Sequence, residues 1–383
     1  MEKILETNPM QKIVIKVGTR LLTHTNGKLN LKIIEKLVRE VANVKNMDKD
    51  VVLVSSGAIG AGIGRLGLKK KPVSIQERQA CAAIGQGLLI QFYEKLFSEY
   101  GHVVAQVLLT REDIESRRRY LNSRNTLLHI FKYGAIPIVN ENDTISTEEI
   151  EFGDNDKLSA LVATLIDADL LILLTTTDGL YTSNPQTDSS AELLQEIEAI
   201  DSDIKESAGV TEDMLAKGGM MTKVEAAEVA MASGIDMVIA NGYRENIVSE
   251  ILEGKARATL FHSTRKMMSG KKKWIAFAQK AKGVIIVDEG AEKALREEGK
   301  SLLPVGINKV TGNFYRGDTV NIKALDGTDI ACGIVNYSAE ELKQIMGFKT
   351  RDIDNILGYS SNEEVIHRDN LVLYPNLLRK GSL

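Results

Sequence analysis

Ile13-Val-Ile-Lys-Val-Gly-Thr19 is the stretch that decides the fold. Ile13–Val17 reads as a short buried strand that stops at Gly18. A lysine at the end of such a strand is costly if it is buried without a partner. Gly18 lets backbone approach a ligand, and Thr19 can cap or donate, which suits phosphate. A surface lysine explains the same residues equally well when they stand alone. The form recurs downstream. Val51–Val54 runs into Ser55-Ser-Gly-Ala58, Ile136–Val139 into Asn140-Glu-Asn-Asp143, and Leu170–Leu174 into Thr175-Thr-Thr-Asp178. Val103–Leu109 and Val238–Ala240 are further strands. Helices alternate with them. Leu31, Ile34, Leu37, Val38 and Val41 mark one over 30–45, and Ala80, Ile84, Leu88, Phe92 and Leu96 form one face of another over 74–99. A third covers 219–233. Strands alternating with helices predict an α/β fold with a mostly parallel sheet covered on both faces. Ligands of such sheets lie beyond the carboxyl ends of the strands, where these polar segments fall.

The 383 residues allow two or three domains. Residues 1–262 carry the α/β pattern. The segment 263–282, with Lys271, Lys272, Lys273 and Trp274, reads as a linker and the last strand of the first domain. From 283 to 370 short strands dominate (Val284–Val287, Thr319–Ile322, Ala331–Val335), punctuated by Gly306, Gly312, Gly317 and Gly327, so this is a small β-rich domain. Residues 371–383 read as a tail. With 43% hydrophobic and 26% charged residues the chain is not a disordered one. Forty-eight basic against 52 acidic residues leave no overall basic footprint for nucleic acid. Cys81 and Cys332 lie far apart and the five histidines are scattered, which excludes a zinc or disulfide framework and fits a reducing compartment. The charged start Met1-Glu-Lys-Ile-Leu-Glu-Thr7 and the lack of any run near 18 apolar residues predict a cytoplasmic protein with no membrane partner.

Gly62-Ile-Gly-Arg-Leu-Gly67 matches GxGxxG, but a dinucleotide site needs that run directly after a strand. Here it begins well past Val54, so the glycines serve close packing, and an oxidoreductase reading has nothing else to rest on. Ser55 and Ser56 could be plain helix caps. Gly153-Asp-Asn-Asp-Lys157 opens a helix, where one cap would suffice and three polar residues suggest binding as well. Lys217-Gly-Gly-Met-Met-Thr-Lys223 opens the 219–233 helix with exposed backbone N–H groups and a charge one turn in, suited to phosphate or to a simple loop entering a helix. Together the set holds two lysines, glycine turns and a carboxylate–carboxamide group on successive strand ends. Lysines without an obvious base point to phosphoryl transfer onto an acceptor that is already an anion.

These residues carry a resemblance. Ile15-Lys-Val-Gly-Thr19, Ser55-Ser-Gly-Ala58, Asn140-Glu-Asn-Asp143, Gly153-Asp-Asn-Asp156, Asp178-Gly-Leu-Tyr181 and Gly218-Gly-Met-Met-Thr-Lys223 resemble the amino-acid kinase superfamily, and within it the branch that phosphorylates glutamate. Leu108-Leu-Thr-Arg-Glu-Asp113 and Tyr120-Leu-Asn-Ser-Arg-Asn125 fit that branch. Val287-Asp-Glu-Gly-Ala291, Ser301-Leu-Leu-Pro304 and Val310-Thr-Gly-Asn-Phe314 resemble a PUA domain. The resemblance implies a three-layer αβα sandwich with an appended PUA domain. It implies ATP with Mg²⁺, L-glutamate as acceptor, the first step of proline synthesis, proline as feedback inhibitor and a homo-oligomer. By motif matching, Lys16 and Lys223 would stabilise the transferring group, with Asp156 or Asp154 orienting them or Mg²⁺. Ser56, Gly57, Asn140, Asp143 and Asn155 would hold glutamate, Asp143 at its ammonium and Ser56 and Asn155 at its oxygens. Thr175, Thr176 and Lys217, Gly218, Gly219, Met220, Met221, Thr222 and Lys223 would line the nucleotide. Thr176 stands where relatives usually carry aspartate, and Lys217 where they carry threonine. A related kinase with another anionic acceptor is the nearest alternative. RNA binding through the PUA-like tail is the other, but 13 basic against 15 acidic residues over 281–383 give no basic face.

Overall fold

The computed structural model describes residues 10–145, 155–209, 219–263, 270–278, 281–359 and 363–374. The chain divides into two compact units, Met1–Met267 and Met268–Leu383. The first is built on an eight-stranded sheet of order β3-β4-β2-β1-β5-β7-β8-β6. Its strands are β1 (Lys12–Val17), β2 (Asp50–Val54), β3 (Val104–Leu109), β4 (Ile136–Glu141), β5 (Leu170–Thr175), β6 (Glu196–Ile197), β7 (Asp236–Asn241) and β8 (Ala258–Phe261). All neighbours pair in parallel except β7 with β8. β6 and β8 are additions to the expected set. They are too short for periodicity to mark.

Alternate residues of each strand face opposite sides. Ile13, Ile15 and Val17 join one core with Val51, Leu53, Ile136, Ile138, Leu170 and Ile172. Helix α1 (Leu31–Asn46) closes that side with Ile34, Leu37, Val38 and Val41, and the long helix α3 (Ile75–Glu99) adds Leu89, Tyr93 and Phe97. On the other side lie α4 (Arg117–Lys132), α5 (Asn155–Ile166) and α6 (Met220–Ala232). This is the three-layer αβα sandwich. The face of α3 differs from the expected one. Ala80 and Ile84 are exposed, and Cys81, Ala82, Gly85, Leu89, Tyr93 and Phe97 are buried instead. Gly85 has no side chain to register in a hydrophobic pattern, yet it is the point of closest approach.

That approach explains the glycine run. Helix α2 (Ala58–Leu66) contains Gly62 and Gly64 and ends at Gly67 in a left-handed conformation, φ 65°. A Cβ on Gly62 would lie 1.9 Å from the Cys81 carbonyl oxygen, and one on Gly85 1.8 Å from the Ala58 carbonyl oxygen. The crossing of α2 and α3 is backbone on backbone, as the packing reading expects. Gly85→Ala should therefore destabilise the protein by about 1–3 kcal/mol, the usual cost of overpacking, despite a helix-propensity gain near 1 kcal/mol. Urea unfolding measures it, and an unchanged midpoint would mean that α2 can shift without loss.

The second unit holds a five-stranded sheet of order β10-β9-β11-β12-β13, with β9 (Gly283–Val287), β10 (Ile307–Gly312), β11 (Thr319–Lys323), β12 (Asp329–Ile334) and β13 (Leu371–Leu373). Ile285, Val287, Phe314, Val320, Ile322 and Tyr337 fill its core. Two boundaries are corrected. The expected last strand near Trp274 is helical, an α-turn at Gly270–Lys273 running into a π-helical turn at Trp274–Ala278. Trp274 and Ile275 are buried, and the Cys332 thiol on β12 donates to the Ile275 carbonyl at 3.6 Å, so this segment belongs to the second unit. A short apolar run does not by itself separate strand from helix. Leu371–Leu373, expected as the start of a tail, pairs with β12 as an edge strand.

Candidate active site

The carboxyl ends of β1, β2, β4 and β5 and the starts of α2, α5 and α6 bring the polar segments together. Lys16 lies in β1 between Val54 of β2 and Leu173 of β5, so its side chain leaves the middle of the sheet. It is 3% exposed. Its Nζ is paired with Oδ1 of Asp156, in the first turn of α5 and fully buried. Lys223, one turn into α6, reaches Oδ2 of the same carboxylate at 2.9 Å. The Thr222 hydroxyl lies 3.0 Å from Oδ2 and 2.8 Å from the Gly219 carbonyl. One buried carboxylate thus holds two buried ammonium groups. Burial pushes the Asp156 carboxyl up, but Lys16 and Lys223 override it and hold the group well below the usual carboxylate range.

Beside this cluster runs a chain of carboxamides. Asn155 Nδ2 lies 2.5 Å from the Ser55 carbonyl, 3.1 Å from Ser56 Oγ and 2.8 Å from Asn140 Oδ1. Asn140, at the end of β4, donates from Nδ2 to Gln86 Oε1 at 2.7 Å. The Ser55 hydroxyl is 3.0 Å from the Tyr93 hydroxyl, which burial pushes up to about 12 and so keeps neutral. Gly57 caps α2 at φ 88°, a left-handed conformation that favours glycine. Asp143 is half-buried in the turn after β4, and the Asn142 N–H ties that turn to the Leu109 carbonyl at 2.9 Å.

On the β5 side, Thr175 ends the strand and Thr176 follows it, both half-buried. Asp178 accepts two hydrogen bonds from Arg244, each 2.8 Å, and lies 3.2 Å from Asn241 Nδ2 and 3.1 Å from Arg257. The Gly242 N–H donates to the Thr175 carbonyl at 2.8 Å, so the loop after β7 braces the loop after β5. Gly219, Met220, Met221 and Thr222 form the entry to α6. Asp154, Lys217 and Gly218 lie outside the described residues. The structure thus brings together Lys16, Lys223 and Asp156 as one group and Ser56, Asn140 and Asn155 as another. Gln86, Tyr93 and Arg244 were missed. Each is a single polar residue in a helix or loop, with a partner more than 35 residues away in sequence.

The surroundings of Asp156 do not suit Mg²⁺. Both of its oxygens face ammonium groups, and Thr222 adds a third contact. That donor set suits an orienter of lysines rather than a cation ligand. Among the described residues no group of three or more His, Cys, Asp or Glu could hold a metal ion.

A parallel sheet whose carboxyl edge gathers two buried lysines on one aspartate is chemically suited to receive an anionic phosphoryl group. Residues 11–241 match the model of the amino acid kinase family, and residues 283–357 match that of the PUA domain. A glutamate 5-kinase of Caldanaerobacter subterraneus subsp. tengcongensis is 52% identical over 94% of this chain and 97% of its own. Glutamate 5-kinases of Thermoanaerobacter sp. and Moorella thermoacetica are 50% and 49% identical, over 97% and 96% of this chain and 100% and 98% of theirs. The chain belongs to the amino acid kinase family, in its glutamate 5-kinase branch, with a C-terminal PUA domain. Among the described residues no helix is long and apolar enough to cross a membrane.

Proposed function

We propose that this chain transfers the γ-phosphoryl group of ATP, bound with Mg²⁺ as one substrate, to the side-chain carboxylate of L-glutamate. The product is L-glutamyl 5-phosphate, and the step is the first of proline synthesis. The observation that carries the reading is the convergence of Lys16 and Lys223 on Asp156 at the sheet's carboxyl edge. A glutamate carboxylate oxygen attacks the γ-phosphorus. The bond from that phosphorus to the β–γ bridging oxygen breaks, and ADP leaves with the electron pair. The acceptor has a pKa of about 4.3 and needs no base at neutral pH. Two anions must approach, so the task of the site is charge compensation and alignment. Lys16 and Lys223 supply the positive charge. Asp156 holds both ammonium groups in place. Mg²⁺ arrives on the ATP phosphates and offsets their charge. Asp143 receives the glutamate ammonium, and Ser56, Gly57, Asn140 and Asn155 complete the acceptor site. Thr175, Thr176 and the 217–223 segment line the nucleotide, with Asp178 and Arg244 bracing that edge.

The test is ATP turnover with L-glutamate, N-acetyl-L-glutamate, L-aspartate and UMP in parallel, with hydroxylamine to trap an acyl phosphate. Glutamate-dependent γ-glutamyl hydroxamate supports the reading, and turnover only with another acceptor refutes the substrate. Asp143→Ala should raise the KM for glutamate about 10- to 100-fold, the worth of a charged hydrogen bond, with kcat little changed. An unchanged KM would remove Asp143 from the site. Inhibition by proline and assembly into homo-oligomers belong to the same proposal, on the strength of the family resemblance. Proline titration against glutamate checks the first.

A further inference from the structure

Gln86 is half-buried on α3 and takes no part in the chemistry above, yet it closes the carboxamide chain. The polarity of that chain is fixed by backbone groups. The Glu141 N–H donates to Asn140 Oδ1 at 2.9 Å, and a backbone N–H can only donate. Asn140 Oδ1 is therefore the acceptor for Asn155 Nδ2, and Asn140 Nδ2 turns the other way, to Gln86 Oε1. At the other end Asn155 Nδ2 faces the Ser55 carbonyl, which can only accept. The acceptors around Asn155 Nδ2 engage both of its hydrogens, so its carbonyl oxygen is what remains for a ligand. Ser56 Oγ accepts from Asn155 and keeps its own O–H to donate.

We propose that Gln86 is a positioning residue for the acceptor substrate: it holds Asn140 in the orientation that makes Asn155 present a hydrogen-bond acceptor to the glutamate ammonium, beside Asp143 and in place of the contact with glutamate oxygens that the resemblance implies, and leaves Ser56 to donate to a carboxylate. The proposal rests on the reading of Ser56, Asn140, Asp143 and Asn155 as the glutamate site. Asn140 is 1% exposed, and Gln86 is the partner of its amide nitrogen among the described residues. Without that partner the amide nitrogen loses its hydrogen bond where water hardly reaches. The flipped amide would set N–H against N–H at both Glu141 and Asn155. Either outcome disturbs the group that faces glutamate and leaves the nucleotide side untouched.

The experiment compares wild type, Gln86→Met and Gln86→Glu in two-substrate kinetics. Met keeps the length of the side chain and removes the acceptor. Glu keeps an acceptor oxygen in the same place. The expected result is a KM for glutamate about tenfold higher in Gln86→Met, which is about 1.4 kcal/mol and within the cost of an unsatisfied buried amide. Its KM for ATP should stay within about twofold, with kcat falling less than KM rises. Gln86→Glu should restore the KM for glutamate to within about threefold of wild type, since its carboxylate can still accept. An unchanged glutamate KM in Gln86→Met would overturn the proposal. So would an equal rise in both KM values with a lower melting temperature, or a Gln86→Glu variant as impaired as Gln86→Met. If wild type itself shows no glutamate-dependent turnover, the acceptor assignment fails first and this proposal with it. Wild-type turnover with an indifferent Gln86→Met overturns this proposal alone.

Discussion

Lys223→Ala should lower kcat by about 10²–10³, about 3–4 kcal/mol in the barrier, by analogy with the loss of one oxyanion donor. The KM for glutamate should change little. Lys223 sits one turn into α6 with its side chain 8% exposed, so its charge is desolvated and acts more strongly than a surface lysine. Its ammonium is already placed by Asp156 and needs no reorganisation as charge builds on the transferring group. That is why the loss belongs in kcat rather than in binding. Lys16→Ala should behave alike, because Lys16 meets the other oxygen of the same carboxylate. Lys223→Arg should not rescue the enzyme, since a planar guanidinium cannot occupy a pocket shaped for a compact ammonium. Steady-state rates of hydroxamate formation, with both substrates varied, decide the matter. A weaker affinity for ATP with kcat unchanged would make Lys223 a binding residue and remove it from the phosphoryl-transfer step.

Much of this arrangement is legible in the chain because parallel strands advertise themselves. Val51–Val54 and Leu170–Leu174 are apolar on both faces, Ile13–Val17 is so apart from Lys16, and each run gives way to a glycine or hydroxyl residue, Gly18, Ser55 or Thr175. The strand-end rule then collects Lys16, Ser56, Asn140 and Thr175 without any knowledge of contacts. Buried polar partners across the fold are not legible in this way. On α1 four of the apolar positions, Ile34, Leu37, Val38 and Val41, are buried as the pattern predicts and Leu31 is exposed, yet Lys36 and Glu40 are also buried. Lys36 donates to the Gly242 and Arg244 carbonyls, the latter at 2.6 Å, and Glu40 accepts the Val248 N–H at 2.6 Å. Their partners lie some 200 positions away, and no local pattern encodes them. Gln86 and Tyr93 escape notice for the same reason. The buried face of α3 departs from its hydrophobic pattern because its tightest contact is made by Gly85, which such a pattern counts as nothing. Trp274 misled in the opposite sense, since five apolar residues suit a strand or a helical turn until their partners on β12 are known.

Asp156→Asn should be the most damaging single change in both stability and rate. The carboxylate is fully buried and faces two ammonium groups that are 3% and 6% exposed as residues. Removing one member of a buried ion group typically costs about 3–5 kcal/mol, because the charges that remain have lost their compensation. Asn offers one acceptor oxygen, and its NH₂ group would meet an ammonium donor to donor. The pH dependence carries a signature. Burial pushes Asp156 up, but Lys16 and Lys223 pull it further down, so it is more acidic folded than unfolded. Such a group adds stability that is complete above its unfolded pKa of about 3.9 and is lost as the pH falls through the lower folded value. Wild type should therefore lose this contribution only below about pH 4, and the Asn variant should lack that part of the acid limb while being weaker at pH 7. A non-hydrolysable ATP analogue with Mg²⁺ should raise the variant's unfolding midpoint by more than it raises that of wild type. Its phosphates bring back negative charge to the two lysines, and a ligand that binds only the folded state stabilises it by mass action. Urea unfolding from pH 2 to 8, with and without the analogue, tests each part. A variant as stable as wild type at pH 7, with the same acid limb and the same response to nucleotide, would show that the Asp156 charge is not what holds Lys16 and Lys223 in place.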